Sequence, residues 1–202
     1  MNSLSKRLEY LGIADLDYLA ARLLLIYGLA FQALPQAAEA FEKLLKLSLI
    51  LEAKITRNEE LTPKDLKGYG HDLAKLSKEL KTRVGMPFGS DWDGFFKLLQ
   101  DSYDRRYPEH WKAFQLEISL VQLDGYYTAL RNNIVQNFPR EEQARARQFG
   151  TFIYDAYRPN VNPKVLAIIE GLGGKLPGEV LKWNNERFTD LDFVHSVVSR
   201  GI

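Results

Sequence analysis

The chain has 202 residues, with 27 Lys and Arg against 26 Asp and Glu for a net charge of +1, so no global basic excess draws it onto nucleic acid or a membrane and any anion contact has to be local. It has no cysteine and three histidines, His71, His110 and His195, each alone in its neighbourhood; disulfide frameworks, thiolate metal centres and thiol catalysis are excluded, and a polyhistidine metal site has little to draw on. With 46% hydrophobic residues a chain this long buries a sizeable core, and neither a metal nor a cofactor is expected.

The amino terminus carries Lys6, Arg7 and Glu9 with no signal-type apolar run behind them, which predicts a cytoplasmic protein. Leu16, Leu19, Ala20, Leu23, Ile26, Tyr27 and Ala30 recur at three and four residues, the spacing of one helix face, with Asp15 placed to cap it. The apolar run Leu23 to Phe31 within it is too short to span a bilayer, so no membrane contact is expected. Leu34-Pro35 stops this helix and starts a second, with Pro35 at its first position and an end near Arg57. Here Glu39, Glu42, Lys43 and Lys46 occupy a narrow polar strip and form two i,i+4 pairs worth about 0.2–0.5 kcal/mol each. The rest of the circumference is apolar, which makes this helix central.

Thr62-Pro63-Lys64-Asp65 begins a turn that Gly68-Tyr69-Gly70 interrupts, and a third helix starts near His71-Asp72, carries Leu73, Leu76 and Leu80, and ends at Gly85. Ser90 or Asp91 caps a fourth, with Trp92, Phe95, Phe96, Leu99 and Tyr103, which closes before Pro108. Leu116, Leu120, Leu123, Tyr127, Leu130 and Ile134 step by four and three, predicting a fifth helix from about Pro108 to Phe138; this stripe suits a core or a subunit interface equally. Past Pro139 the pattern predicts a helix over Arg140 to Tyr157, a short one from Asn162-Pro163 to Leu172, and helix starts at Pro177 and Thr189. No strand alternation or fixed-period repeat appears. The expected fold is all-α, with a helical bundle over residues 1–138 and a helical extension over 139–202.

Few residues carry chemistry. Gly171-Leu172-Gly173-Gly174-Lys175 lacks the strand and the Lys-Ser/Thr ending of a phosphate loop and reads as a helix terminator. Asp91, Asp93, Asp101, Asp104 and Glu109 match no calcium loop. Lys75, Lys78 and Thr82, with His71 one turn earlier, share the side of the third helix away from its leucines; this is either a solvated face or a phosphate contact. The sharpest segment is Tyr103-Asp104-Arg105-Arg106-Tyr107-Pro108-Glu109-His110-Trp111. Two arginines end one helix, and His110 falls in the first turn of the next, where the positive helix end disfavours imidazolium. A neutral His110 would serve as a general base while Arg105 steadies a phosphorane, the requirement of metal-free RNA cleavage through a 2'-hydroxyl. The same residues also suit a structural corner packed on carboxylates and carbonyls.

The order of Tyr18-Leu19-Ala20-Ala21-Arg22-Leu23-Leu24, Ala40-Phe41-Glu42-Lys43-Leu44-Leu45-Lys46, Gly70-His71-Asp72-Leu73, and Tyr103 ahead of Arg106-Tyr107-Pro108 resembles the HEPN family, the helical domains named for higher eukaryotes and prokaryotes nucleotide-binding. The resemblance covers roughly residues 10–138. It implies an antiparallel four- or five-helix bundle, frequently a homodimer, with a cleft between helices. Many members are metal-independent ribonucleases acting as toxins or in defence, often encoded beside a small nucleotidyltransferase that serves as partner or antitoxin; others bind nucleotides or act as interaction modules. The nuclease branch carries Arg, a polar residue, and His after four to six residues. Arg105 and His110 keep that spacing, but Arg106 takes the polar position and Pro108 lies between them, so the Arg-Tyr-Pro form resembles the branch without the nuclease motif. The expectation is therefore a module binding a nucleotide, RNA or partner protein, with Arg106, Tyr103, Lys46, His71, Lys75 and Lys78 as ligand contacts. The alternatives are a metal-independent endoribonuclease using Arg105 and His110, and a non-catalytic helical scaffold.

Overall fold

The computed structural model describes residues 3–62, 64–86, 88–104 and 118–147. Among them the helical spacing resolves into α1 (Ser3–Ile26), α2 (Ala30–Arg57), α3 (Leu73–Val84), α4 (Ser90–Asp104), α5 (Leu120–Gln136) and α6 (Arg140–Arg147). No strand occurs among the described residues. The fold is an all-α bundle.

The first helix differs from expectation. α1 begins at Ser3, because Leu8, Leu11 and Ala14 extend the apolar face upstream and are buried. Asp15 therefore lies inside the helix, fully buried, and caps nothing. Gly28, at φ 75°, turns the chain into α2, which starts at Ala30 rather than at Pro35. Pro35 sits inside the helix and forgoes one backbone bond.

α2 is the central element. Phe41, Leu44, Leu45 and Leu47 are fully buried, and the helix packs against α1, α3, α4 and α5. Both predicted pairs form on its polar strip, Lys43 to Glu39 at 2.9 Å and Lys46 to Glu42 at 2.6 Å. Phe41 meets the edges of Phe95, Phe96 and Tyr127, joining α4 and α5 to it. Asp72 caps α3 by accepting from the Lys75 amide at 2.8 Å, and Gly85 ends it at φ 64°.

The fifth helix is shorter at its start than its apolar stripe suggests. Ser119 is extended, and its hydroxyl and the Gln122 side chain form a reciprocal cap that starts α5 at Leu120; the residues from Arg105 to Glu117 lie outside those described. Leu123, Tyr127, Leu130 and Ile134 are buried in the chain's own core. α6 packs on α5 and α1 with Ala146 fully buried. The helices predicted beyond Arg147 and the glycine run at Gly171 lie outside the described residues.

The seam between α1 and α5 is polar at its centre. α1 carries Asp15, Tyr18 and Arg22; α5 carries Asp124, Tyr127 and Arg131, at the same D-x2-Y-x3-R spacing. The two sets answer each other. Arg22 donates to both Asp124 oxygens at 3.0 and 3.2 Å, and the Tyr18 hydroxyl donates to the same carboxylate. Arg131 donates to both Asp15 oxygens at 2.7 and 2.8 Å, and the Tyr127 hydroxyl joins at 2.9 Å. The two tyrosine rings stack at 4.0 Å, 3° from parallel. Burial first, then the Asp15 charge, push the Tyr127 phenol well above its usual range, which keeps it a donor. Arg131 also donates to the Ala146 carbonyl at 3.0 Å, tying α6 to the seam. Paired, bidentate geometry of this kind is what allows four charges to stay buried.

Candidate functional site

The leucines of α3 point at α2 and α4, which leaves its polar residues outward. Between α3 and α4 lies a groove of about 490 Å³, lined by Ala74, by the buried Ser77 and Phe96, and by Lys78, Lys81 and Lys97. Asp93 and Asp101 share the rim and pair with Lys81 at 2.6 Å and Lys97 at 2.7 Å. Lys78 is exposed; no ion pair to it occurs among the described residues. Gln100 locks the two helices at one end of the groove, accepting from the Leu73 amide at 3.0 Å and donating to Asp104 at 3.0 Å.

A second cluster forms beside that end, where the chain enters α3. Gly70, at φ 57°, turns the backbone, and His71 lies ahead of the helix rather than on its basic face. Its ring is directed to α2, with Nδ1 2.6 Å from Glu42 Oε2, and sits 4.8 Å from the Tyr103 ring of α4. The Lys46 ammonium donates to Glu42 Oε1 at 2.6 Å and to the Gly70 carbonyl at 2.8 Å. Three of the sequence-predicted residues, Lys46, His71 and Tyr103, thus meet around Glu42. Their accessibility differs. Lys46 is buried, with its charge matched inside the protein, whereas the His71 side chain is 56% exposed. The contact between Nδ1 and the Glu42 carboxylate fixes the ring beside α2 while leaving more than half of the side chain open to a ligand.

The remaining predicted residues are dispersed. Lys75 donates to the Gly68 carbonyl at 3.1 Å and lies 5.1 Å over the Tyr69 ring, so it braces the single 3-10 turn Lys67–Tyr69. Lys78 faces the groove. Arg105, Arg106 and His110 lie outside the described residues; Arg105 follows directly on Asp104, the last residue of α4. Sequence reasoning missed Lys81, Lys97 and Phe96 as a unit and Glu42 as a hub. The signal for the lysines was the three-residue step from Lys78 to Lys81, which keeps both on one helical side.

Among the described residues, no group of three His, Cys, Asp or Glu side chains is placed to hold a metal, and no helix is long and apolar enough to cross a membrane. No family model, curated protein or solved structure matches the chain.

Proposed function

We propose that the chain is a HEPN-like helical module that binds a nucleotide or single-stranded RNA across the α3–α4 face without cleaving it. One observation carries the reading: three lysines, Lys78, Lys81 and Lys97, rim a groove, at the end of which the exposed His71 ring lies against buried Tyr103. Cations that track a phosphate backbone, beside an exposed imidazole ring on which a base can stack, are a combination that suits single-stranded RNA. The two ion pairs on the rim are exposed, and such pairs are worth about 0–1 kcal/mol, so an incoming phosphate displaces a carboxylate at little cost. The homodimer and the nucleotidyltransferase partner, as part of a toxin-antitoxin or defence pair, follow from the family resemblance and complete the proposal.

Fluorescence anisotropy with a short labelled RNA at about 50 mM salt tests it. Binding is expected to weaken with added salt, and Lys78→Glu combined with Lys97→Glu is expected to reduce affinity about tenfold or more. Unchanged binding in that variant, or none by the wild type, overturns the reading. RNA cleavage in EDTA that disappears in His110→Ala replaces it with the ribonuclease alternative.

A further inference from the structure

A separate cavity of about 360 Å³ lies where the start of α1 meets the loop that follows α2. Its lining carries three cations, Lys6, Arg7 and Lys64, the Tyr10 phenol and one carboxylate, Glu60. Lys6 of α1 and Lys64 of the loop both face it, both are exposed, and neither has an ion pair among the described residues. Arg7, 6% exposed, lies deeper. Its terminal nitrogens reach Glu60 at 3.3 Å and Glu142 at 3.6 Å, while its Nε is buried without an acceptor among the described residues. The Tyr10 hydroxyl has no hydrogen bond among the described residues. Burial first, then the Glu42 charge, push that phenol up to about 12, so it stays a proton donor at neutral pH. Ile50 and Leu61 supply an apolar wall.

The acceptor side chains in the lining are already engaged. Glu60 is held by Arg7 and by Lys54 at 2.7 Å, and the Thr62 hydroxyl donates to Asp65 at 2.7 Å. Among the described residues this leaves two ammoniums without an ion pair, a phenol hydroxyl without a hydrogen bond and a buried guanidinium around one opening, with Glu60 held in its own pairs and an apolar surface alongside. The volume falls at the small end of ligand pockets. A carboxylate would answer one of the two ammoniums; a phosphate monoester, at about −1.5 to −2 near neutral pH, answers both. We infer that this cavity is a binding site for a terminal phosphate monoester carried on a small, partly apolar body, of the class of a nucleoside monophosphate. Lys6 and Lys64 neutralise the phosphate, Tyr10 donates to one of its oxygens, and the nucleoside lies against Ile50 and Leu61. The site is distinct from the α3–α4 groove and shares no residue with it.

The same chemistry reaches the cavity either as a free nucleotide or as the 5'-phosphate end of an RNA. Isothermal titration with AMP, adenosine and a short RNA bearing either a 5'-phosphate or a 5'-hydroxyl separates these sources. AMP is expected to bind at least about tenfold more tightly than adenosine. The combined Lys6→Glu and Lys64→Glu variant is expected to lose AMP binding, Tyr10→Phe to weaken it severalfold, and Lys67→Glu, an equal charge change on the neighbouring 3-10 turn, to leave it unchanged. All four positions are at least partly exposed, and circular dichroism checks that each variant remains helical. Stronger binding of the 5'-phosphorylated RNA than of AMP assigns the site to RNA ends, and the reverse assigns it to free nucleotides. The inference is overturned if AMP and adenosine bind alike, if neither AMP nor the phosphorylated RNA binds better than its unphosphorylated counterpart, or if Lys67→Glu weakens AMP as much as the Lys6 and Lys64 pair does.

Discussion

The α1–α5 seam and the α3–α4 face both set carboxylates against cations, and burial makes them into different devices. At the seam, Asp15, Arg22, Asp124 and Arg131 are all less than 5% exposed, so each charge depends on protein partners held in one geometry. On the face, Lys97 and its partner Asp101 are 72% and 39% exposed, so water competes with the pair and an alternative anion replaces it. Identical chemistry thus specifies the fold in one place and leaves room for a ligand in the other.

The largest expected effect breaks the seam. Asp124→Ala removes the counter-charge that the buried Arg22 meets on α5 and an acceptor of Tyr18; a loss of about 3–5 kcal/mol is expected in urea unfolding. Replacing a whole pair sharpens the point. Asp15→Leu together with Arg131→Met removes both charges at once and is expected to cost less than Asp15→Ala alone, since no buried ion is stranded. If Asp124→Ala costs no more than a surface substitution, the contrast between the two regions fails.

A smaller effect is expected at Glu142, which is buried and lies 3.6 Å from Arg7. Burial pushes its carboxyl above the ordinary 4.5, with the Arg7 charge pulling the other way. The folded state therefore holds this proton to higher pH than the unfolded chain does. Its contribution is present below about 4.5 and is lost as pH rises through the folded value. Glu142→Gln removes that loss: thermal melts are expected to show the variant above wild type at pH 7, with the gap closing near pH 4. The smallest effect belongs to the face. Lys78→Glu and Lys97→Glu are each expected to change stability by within about 0.5 kcal/mol while weakening RNA binding, which separates a ligand surface from a structural one.

What could be read from the sequence divides along the same line. The α2 polar strip was legible because its partners are four residues apart, and α3 and α4 were legible from their leucine and aromatic spacing; Ser90 and Asp91, read as caps, lie inside α4, whose first backbone bonds run to the Gly89 carbonyl. Asp15 was misread as a cap because a short polar residue ahead of an apolar run has that meaning locally, whereas its partner Arg131 is 116 residues away. A signal was present in the repeated D-x2-Y-x3-R at Asp15 and Asp124, which only a search for matching polar spacing would find. The start of α5 was misplaced because apolar periodicity continues through Leu116, and the Ser119–Gln122 cap that ends the ambiguity is a polar feature. At the site, sequence placed Lys46, His71 and Tyr103 on one list, but only the fold distinguishes the buried lysine from the accessible histidine.

The reciprocal seam also bears on how the chain is made. Arg22 leaves the ribosome 102 residues before Asp124, and at about 5–20 residues per second it waits roughly 5 to 20 seconds for its partner. During that interval Asp15 and Arg22 lack the α5 groups that they meet in the finished fold, so the seam closes only once α5 has been made.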